Sequence, residues 1–455
     1  MHHPRTWIYV SLLLTLLAGC TANPPAAPGA AEPTAAVSAG APRAQATAMP
    51  TPQLASPAPA TGAARHPFPQ HTAYAPGTIK PSQHSQDALD RSVRNAYRFW
   101  KLSYLKNGCG AGRFHVDPGP DVSGSPSSRG IAVSEGQGYG MLIAAFMAGA
   151  DPDARRIFDG IYAFFRDHPS AGSPDLMAWK QVEGCTDLVP GGTHSATDGD
   201  VDIAYALLLA DRQWGSDGAI DYHQEALKVI AALKAKVVNQ QTYTLLLGDW
   251  VSASDSRYYN GTRSSDFMLD HLRVYAAATG DAEWTRVADA TYTLIAGMQS
   301  KYSPKTGLLP DFIQDIDTTP APAQPNYLES DSDGRYAYNA CRAPWRIAID
   351  YVLNGDQRAL AALKPINSWV RASAAGKPQN IYGGYQLDGT AAADAFSIAF
   401  AAPLGVGAMV SSDNQEWLNA LWDQVAGSSV QGYYGDSLKL LSMIVMSGNW
   451  WSPRN

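Results

Sequence analysis

The sequence predicts an all-α fold: twelve helices in antiparallel pairs, closed into a toroid of six inner and six outer helices. Three observations point there. From residue 85 onward the chain is a succession of apolar patterns with the helical period. Aspartates and serines stand where the patterns begin, and glycines such as Gly149, Gly215, Gly280 and Gly355 where they end. Alternating, strand-like patterns are scarce, and the best of them, NQQTYTLLLGDW, is short.

The helices are expected at 85–106, 135–149, 151–168, 196–215, 221–239, 264–280, 281–302, 338–355, 356–374, 390–410, 414–429 and 435–448. ARRIFDGIYAFFRDH shows the one-sided spacing, with Ile157, Ile161, Phe164 and Phe165 on one face. The inner helices would be those with small or apolar residues all round, as in DAFSIAFAAPLGVGAMV, which Pro403 is expected to kink. No repeat of fixed period is present, which speaks against a solenoid. In a closed array of this kind the loops at one rim would build a cleft.

The chain has 455 residues, a net charge of −7 and 45% hydrophobic residues, enough for a large core. It has no basic excess, so nucleic acid is not an expected partner. Twelve Trp and 22 Tyr are plentiful, and aromatic faces are platforms for sugar rings as well as core material. The first residues, MHHPRTWIYVSLLLTLLAGC, join a short cationic start to an apolar run too short for a comfortable membrane span. LAGC resembles the bacterial lipobox. This implies a signal peptide over 1–19, cleavage before Cys20, lipidation of its thiol and, with Thr21 next, an exported outer-membrane lipoprotein; a periplasmic or cell-surface protein, with an ordinary secretory peptide and an incidental cysteine, is the alternative. The Ala/Pro-rich stretch after Cys20, to residue 66, cannot bury enough surface to fold and reads as a tether. The folded domain is expected over 67–455. Export permits a disulfide, and Cys109 and Cys185, both in Gly-rich loops, could pair. Cys341, in a helical pattern, is expected to be a buried thiol.

Three groups of acids could carry chemistry. In AVSEGQGYGMLIAAF, Ser134 suits an N-cap and Gln137 would complete a capping box. Glu135 then lies in the first turn, where the helix dipole favours an anion. That alone would explain an acid, but not Gly136, Gly138 and Gly140, each costing about 1 kcal/mol of helix propensity relative to Ala. Glycine there is expected to let something approach the backbone closely, with Glu135 as a candidate proton donor beside it. In SATDGDVDIAYALLLADRQWG, Ser195 or Thr197 can cap, and Asp198, Asp200 and Asp202 fill the first turns. A calcium loop would need a glutamate where Leu209 stands. Asp198 and Asp202 repel as i,i+4 neighbours, so at least one should have a partner outside the helix. In PNYLESDSDGRYAYNACRAPWRIAIDY, Glu329, Asp331 and Asp333 occupy a polar loop, followed by a helix with Asn339, Arg342 and Trp345 on one side. No Cys or His spacing suggests zinc.

Together SEGQGYGM, ATDGDVDIAYALL and YNACRAPWR resemble the signature regions of glycoside hydrolase family 8, in order, and GYYGDSLKLLSM resembles its last helix. The resemblance covers about residues 85 to 450. It implies an (α/α)6 toroid and an enzyme that cuts β-1,4-linked polysaccharides internally with inversion. By resemblance Glu135 is the general acid, and the glycines leave room for sugar. Asp198 contacts the sugar at the cleavage point, Trp179 and Trp250 are aromatic platforms, and Tyr338 and Arg342 line the cleft near the base. Many members carry an aspartate base where this chain has Asn339, which cannot take a proton from water. An inverting mechanism still needs a second carboxylate about 6.5–9.5 Å from the first. In one subfamily that base is a loop glutamate, and NYLESDSDGRYAYNACR resembles that arrangement, as does TRSSDFMLDH over 262–271. Glu329 is therefore the expected base, with Asp331 and Asp333 as weaker candidates. The expected substrate is a β-glucan, cellulose-type or mixed-linkage, with chitosan as the alternative. A non-catalytic polysaccharide-binding protein and a lyase on a similar toroid are more distant readings. No metal or organic cofactor is implied, and a monomer is expected.

Overall fold

The computed structural model describes residues 63–119 and 129–454. The expected signal peptide, the lipidated Cys20 and nearly all of the tether lie outside the described residues. Twelve α-helices are present among them: α1 (Gln86–Tyr104), α2 (Ser134–Phe146), α3 (Ala154–Asp167), α4 (Thr197–Trp214), α5 (Tyr222–Val237), α6 (Leu269–Thr279), α7 (Glu283–Tyr302), α8 (Ala343–Asn354), α9 (Gln357–Ser373), α10 (Ile398–Ala408), α11 (Gln415–Gly427) and α12 (Gly432–Met446). Each overlaps a stretch the apolar period marks, although α2 starts one residue and α12 three residues earlier than expected, and Gly280 and Gly355 end α6 and α8 in the left-handed conformation.

Several boundaries differ from the expectation. The stretch 390–397 is not helical, because the chain there pairs with the preceding loop through the bridges Tyr382 with Phe396 and Tyr385 with Ala391. α10 then continues through Pro403 as one element. The stretch 264–268 forms a short 3-10 turn (Ser264–Asp266) before α6, and a second turn (Ala340–Arg342) precedes α8, which has Pro344 in its first turn. NQQTYTLLLGDW is not a strand. It makes a single bridge, Val238 with Leu245, and Tyr243 at φ +57° breaks the extended run. The capping box is also absent. α2 begins at Ser134 itself with no side-chain cap, and the carboxamide of Gln137 instead joins Val116 and the carbonyl of Val133. The caps suggested for α4 fail likewise: Thr197 Oγ1 donates to the carbonyl of Leu246, and the cap position is Ala196.

Helix contacts run in a cycle: α2 packs on α4, α4 on α6, α6 on α8, α8 on α10, α10 on α12 and α12 on α2. Each odd-numbered helix lies against an even one: α1 on α12, α3 on α2, α5 on α4, α7 on α6, α9 on α8 and α11 on α10. Burial follows the same division. Every residue of α10 is buried, whereas α1 buries only one apolar stripe, as an inner and an outer helix must.

The chain before α1 crosses the far ends of the even helices. Backbone N–H groups of Arg65, Phe68, Thr72, Ala75 and Ile79 donate to carbonyls of Gln213, Ala148, Gly448, Val352 and Met409. These acceptors lie at or just beyond the C-terminal ends of α4, α2, α12, α8 and α10. The N-terminal ends of the same helices are left for the loops. Two small antiparallel sheets lie there, one of Gly130–Val133, Lys180–Val182 and Thr186–Asp187, the other of Thr262–Arg263, Phe312–Gln314 and Ala321–Pro322. Cys109 and Cys185 form a disulfide with Cα atoms 5.6 Å apart, and Cys341 is a buried thiol.

Candidate active site

Of the acids singled out in the sequence, Glu135, Asp198 and Glu329 meet around Arg342 and Arg263, at the N-terminal ends of α2, α4 and α12 and of the turn before α8. Strand Gly130–Val133 leads directly into α2 and places Glu135 one residue inside the helix. Its carboxylate accepts from Arg342 Nη1 (2.6 Å) and from the hydroxyl of Tyr433 in the first turn of α12 (2.9 Å). Burial pushes the Glu135 carboxyl above its ordinary range and Asp198 pushes the same way, while Arg342 and Tyr433 oppose them without prevailing.

The glycines around Glu135 have a different purpose from the expected one. A Cβ on Gly136 would meet the Tyr433 hydroxyl at 2.9 Å, one on Gly138 would meet Asp202 Cβ at 2.7 Å, and one on Gly140 would meet Val116 at 2.7 Å. Gly199 faces Ser134 in the same way from α4. The glycines therefore let α4, Tyr433 and, at Gly140, Val116 and Ile161 approach α2; the room is for neighbouring protein rather than for sugar. Tyr433 can reach Glu135 because residue 136 has no side chain.

The three aspartates of α4 point in different directions. Asp198 takes Arg342 Nη1 at 2.8 Å and Arg263 Nη2 at 3.0 Å. Its burial would raise its pKa, but the two guanidiniums outweigh that and hold it at about 2. Asp202 is paired with Arg346 and His271 in the core. Both members of the repelling pair thus have partners outside the helix. Asp200 accepts the backbone N–H of Met177 at 2.8 Å and so fixes the strand Ser173–Met177 that precedes Trp179.

Glu329 comes to the site from the loop. Its Oε2 accepts from Asn339 Nδ2 at 2.8 Å, and its Oε1 lies 3.6 Å from Arg263 Nη1. Desolvation raises its pKa against the pull of Arg263 and Asn339, although 44% of the side chain remains accessible. Asp333 is buried, and its carboxylate is occupied by the backbone N–H groups of Leu328, Glu329 and Ser330. Asp331 points outward toward Arg335. Of the three loop acids, only Glu329 faces the cluster. Asp311 accepts three backbone N–H groups, from Ala337, Asn339 and Ala340, and so folds the turn that carries Asn339 and Arg342.

Arg342 and Asn339 connect the two glutamates. Arg342 Nη2 donates to Asn339 Oδ1 at 2.8 Å, so an unbroken hydrogen-bonded path runs Glu135, Arg342, Asn339, Glu329. Four carboxyl groups, Glu135, Asp198, Asp266 and Glu329, surround two guanidiniums, Arg342 and Arg263. With Asp198 held ionised, Glu135 is suited to keep a proton. Trp179 is half-buried, its carbonyl accepts from Ser134 N–H, and its indole donates to Gly191. Trp250 is half-buried and edge-on to Tyr258, while Tyr338 is 49% exposed beside Tyr434. Tyr433, Arg263 and Asp311 were missed in the sequence. The first two lie in GYYGDSLKLLSM and TRSSDFMLDH, stretches whose pattern stood out but whose polar residues had no visible partner. No group of metal-ligating side chains occurs among the described residues.

The family model Glycosyl hydrolases family 8 matches residues 84–448. A beta-glucanase of Niallia circulans is 51% identical over 376 residues, 83% of this chain and 89% of that protein. An endoglucanase of Bacillus sp. (strain KSM-330) is 40% identical over 83% of this chain and 80% of that protein. Among solved structures, the beta-1,3-1,4-glucanase from Paenibacillus sp. X4 superimposes with a TM-score of 0.81 at 50% identity, covering 86% of this chain and 100% of that one. Rex8A from Paenibacillus barcinonensis, at 17% identity and a TM-score of 0.66 over 82% of this chain and 97% of that one, shares the fold.

Proposed function

The chain belongs to glycosyl hydrolases family 8 and is an inverting, endo-acting glycosidase, and on that premise we propose that it cuts β-1,4 linkages within a β-glucan, of mixed-linkage or cellulose type. Glu135, protonated, donates to the leaving glycosidic oxygen. Glu329, ionised, takes a proton from the water that attacks the anomeric carbon from the opposite face. The observation that carries this assignment is the path from Glu135 through Arg342 and Asn339 to Glu329. It joins two carboxyls of different surroundings, one largely enclosed and one half-open. The β-glucanase and β-1,3-1,4-glucanase relatives favour mixed-linkage glucan. The cyclic helix contacts support an (α/α)6 toroid whose cleft lies at the N-terminal ends of its inner helices.

The test is reducing-end release by residues 63–455 on mixed-linkage β-glucan, a soluble cellulose and chitosan, side by side. Hydrolysis chiefly of the glucans is expected. Hydrolysis chiefly of chitosan would keep the mechanism and overturn the substrate. Glu135→Gln should lower kcat by about a hundredfold or more with the fold intact, and retention of more than a few per cent would remove it as the acid. Export with a lipid on Cys20 and residence in the outer membrane belong to the same proposal and rest on the leader sequence. Radioactive palmitate should label the wild-type chain and fail to label Cys20→Ala.

A further inference from the structure

Among the described residues two side chains reach the Glu329 carboxylate, although a base on a loop must be fixed as firmly as one on a helix. One is Asn339 and the other is Arg263. Arg263 comes from a separate element, the strand Thr262–Arg263, where it pairs with Phe312 in the small sheet beside the cleft. Its guanidinium is nearly buried and spreads over three acids. Nη2 donates to Asp198 at 3.0 Å, Nε to Asp266 at 3.3 Å, and Nη1 faces Glu329 at 3.6 Å. Asp266 is fully buried. Its Oδ1 receives Arg263 and the hydroxyl of Ser265, and its Oδ2 is enclosed without a partner. A buried ion pair kept only for stability is commonly replaceable by apolar side chains. Here the buried arginine reaches beyond its pair to the sugar-contacting aspartate and the base at once, a geometry that a fork allows and an ammonium does not.

We propose that Arg263, braced from behind by Asp266, is the positioning residue that holds the loop glutamate Glu329 in register with Asp198 for its role as base. The inference rests on the assignment of Glu329 as base. The groups facing Glu329 are Arg263, Asn339, Arg342, Asp333 and Asp311. Those facing Arg263 are Asp198, Asp266, Glu329, Glu135 and Arg342. Among them Arg263 is the cation in direct range of the Glu329 carboxylate.

The experiment measures kcat and KM on mixed-linkage β-glucan across pH for the wild type, Arg263→Gln, Arg263→Lys, Asp266→Asn and Glu329→Gln, with circular dichroism as the check of folding. Removing the cation raises the pKa of Glu329, so Arg263→Gln should move the acidic limb of kcat/KM upward by about one pH unit. It should also lower kcat by about a hundredfold, leaving KM within roughly threefold. Arg263→Lys should return the limb to its place while recovering only part of kcat. Asp266→Asn keeps the arginine and its charge, so kcat should fall about tenfold with the limb unmoved. A folded Arg263→Gln whose limb does not move, and whose loss lies in KM, would overturn the proposal. If that variant does not fold, an Asp266→Asn enzyme with wild-type kcat overturns it instead. Glu329→Gln separates the two readings: activity above a few per cent of wild type removes the base assignment itself, whereas an inactive Glu329→Gln with an unmoved Arg263→Gln limb removes only this inference.

Discussion

Asn339 presents a donor and an acceptor from one carboxamide. Its Nδ2 donates to Glu329 and its Oδ1 accepts from Arg342. An aspartate there could still accept from Arg342 but would set a second carboxylate within hydrogen-bond distance of Glu329, and the like charges would repel. Asparagine at 339 and glutamate at 329 therefore suit each other. Tyr433 sets the acid in the same local way. Its hydroxyl donates to the ionised form of Glu135 and so pulls the pKa down, against desolvation. In Tyr433→Phe that pull is gone, the pKa of Glu135 rises, and the acid stays protonated to higher pH. The alkaline limb of the pH–rate profile should move upward by about half a unit to one unit. An unmoved or lowered limb would show that the acid titrating in that limb is not Glu135.

At the scale of the element, the crossing of α2 and α4 depends on glycine in both helices. Gly138→Ala would gain about 1 kcal/mol of helix propensity. It would also set a methyl group 2.7 Å from Asp202 Cβ and 3.1 Å from the carbonyl of Gly199, one of them backbone. Overpacking of a tight core costs about 1–3 kcal/mol, and Asp202 is already fixed by Arg346 and His271, so the loss should prevail. Urea unfolding should show net destabilisation, and unchanged or greater stability would mean that the crossing is looser than described. The loops have a covalent tie as well. The Cys109–Cys185 disulfide spans 76 residues, for which the chain-entropy account gives about 4.5 kcal/mol as an upper figure. Cys109→Ser should lower the melting temperature while leaving KM near wild type, because neither cysteine contacts the acid cluster.

For the folded unit as a whole, the two ends of the even-numbered helices have separate tasks. The N-terminal ends bring Glu135, Asp198, Arg342 and Tyr433 together, where helix dipoles add a positive field around the carboxylates. The C-terminal ends are crossed by the segment before α1, which supplies backbone donors to five carbonyls and stacks His66 on Trp451 at 4.4 Å. Deleting residues 1–62 should leave activity and thermal stability unchanged. Deleting residues 1–85 should lower the melting temperature markedly, because carbonyls at five helix ends lose their partners. Equal stability of the two truncations would show that the segment merely lies on the surface.

The sequence by itself determined the helices, since amphipathic spacing and terminal glycines are local features: every expected helix corresponds to an observed one. It also marked Glu135, Asp198, Glu329, Asn339 and Arg342, because buried-acid patterns and family motifs are written in short stretches. It misjudged what depends on distant partners. Gln137 looked like half of a capping box until Val116 came beside it, and the glycines of α2 looked like space for a ligand until α4 and Tyr433 filled that space. Asp333 could not be told from Glu329 by spacing, since both are loop acids, and only the folded loop turns one onto its own backbone and the other toward Asn339. Arg263, 65 residues from Asp198 in the chain, had no partner to be read from the sequence at all. Which acids meet, and across which cations, is decided by long-range closure of the helices, where the energetics are those of contact rather than of pattern.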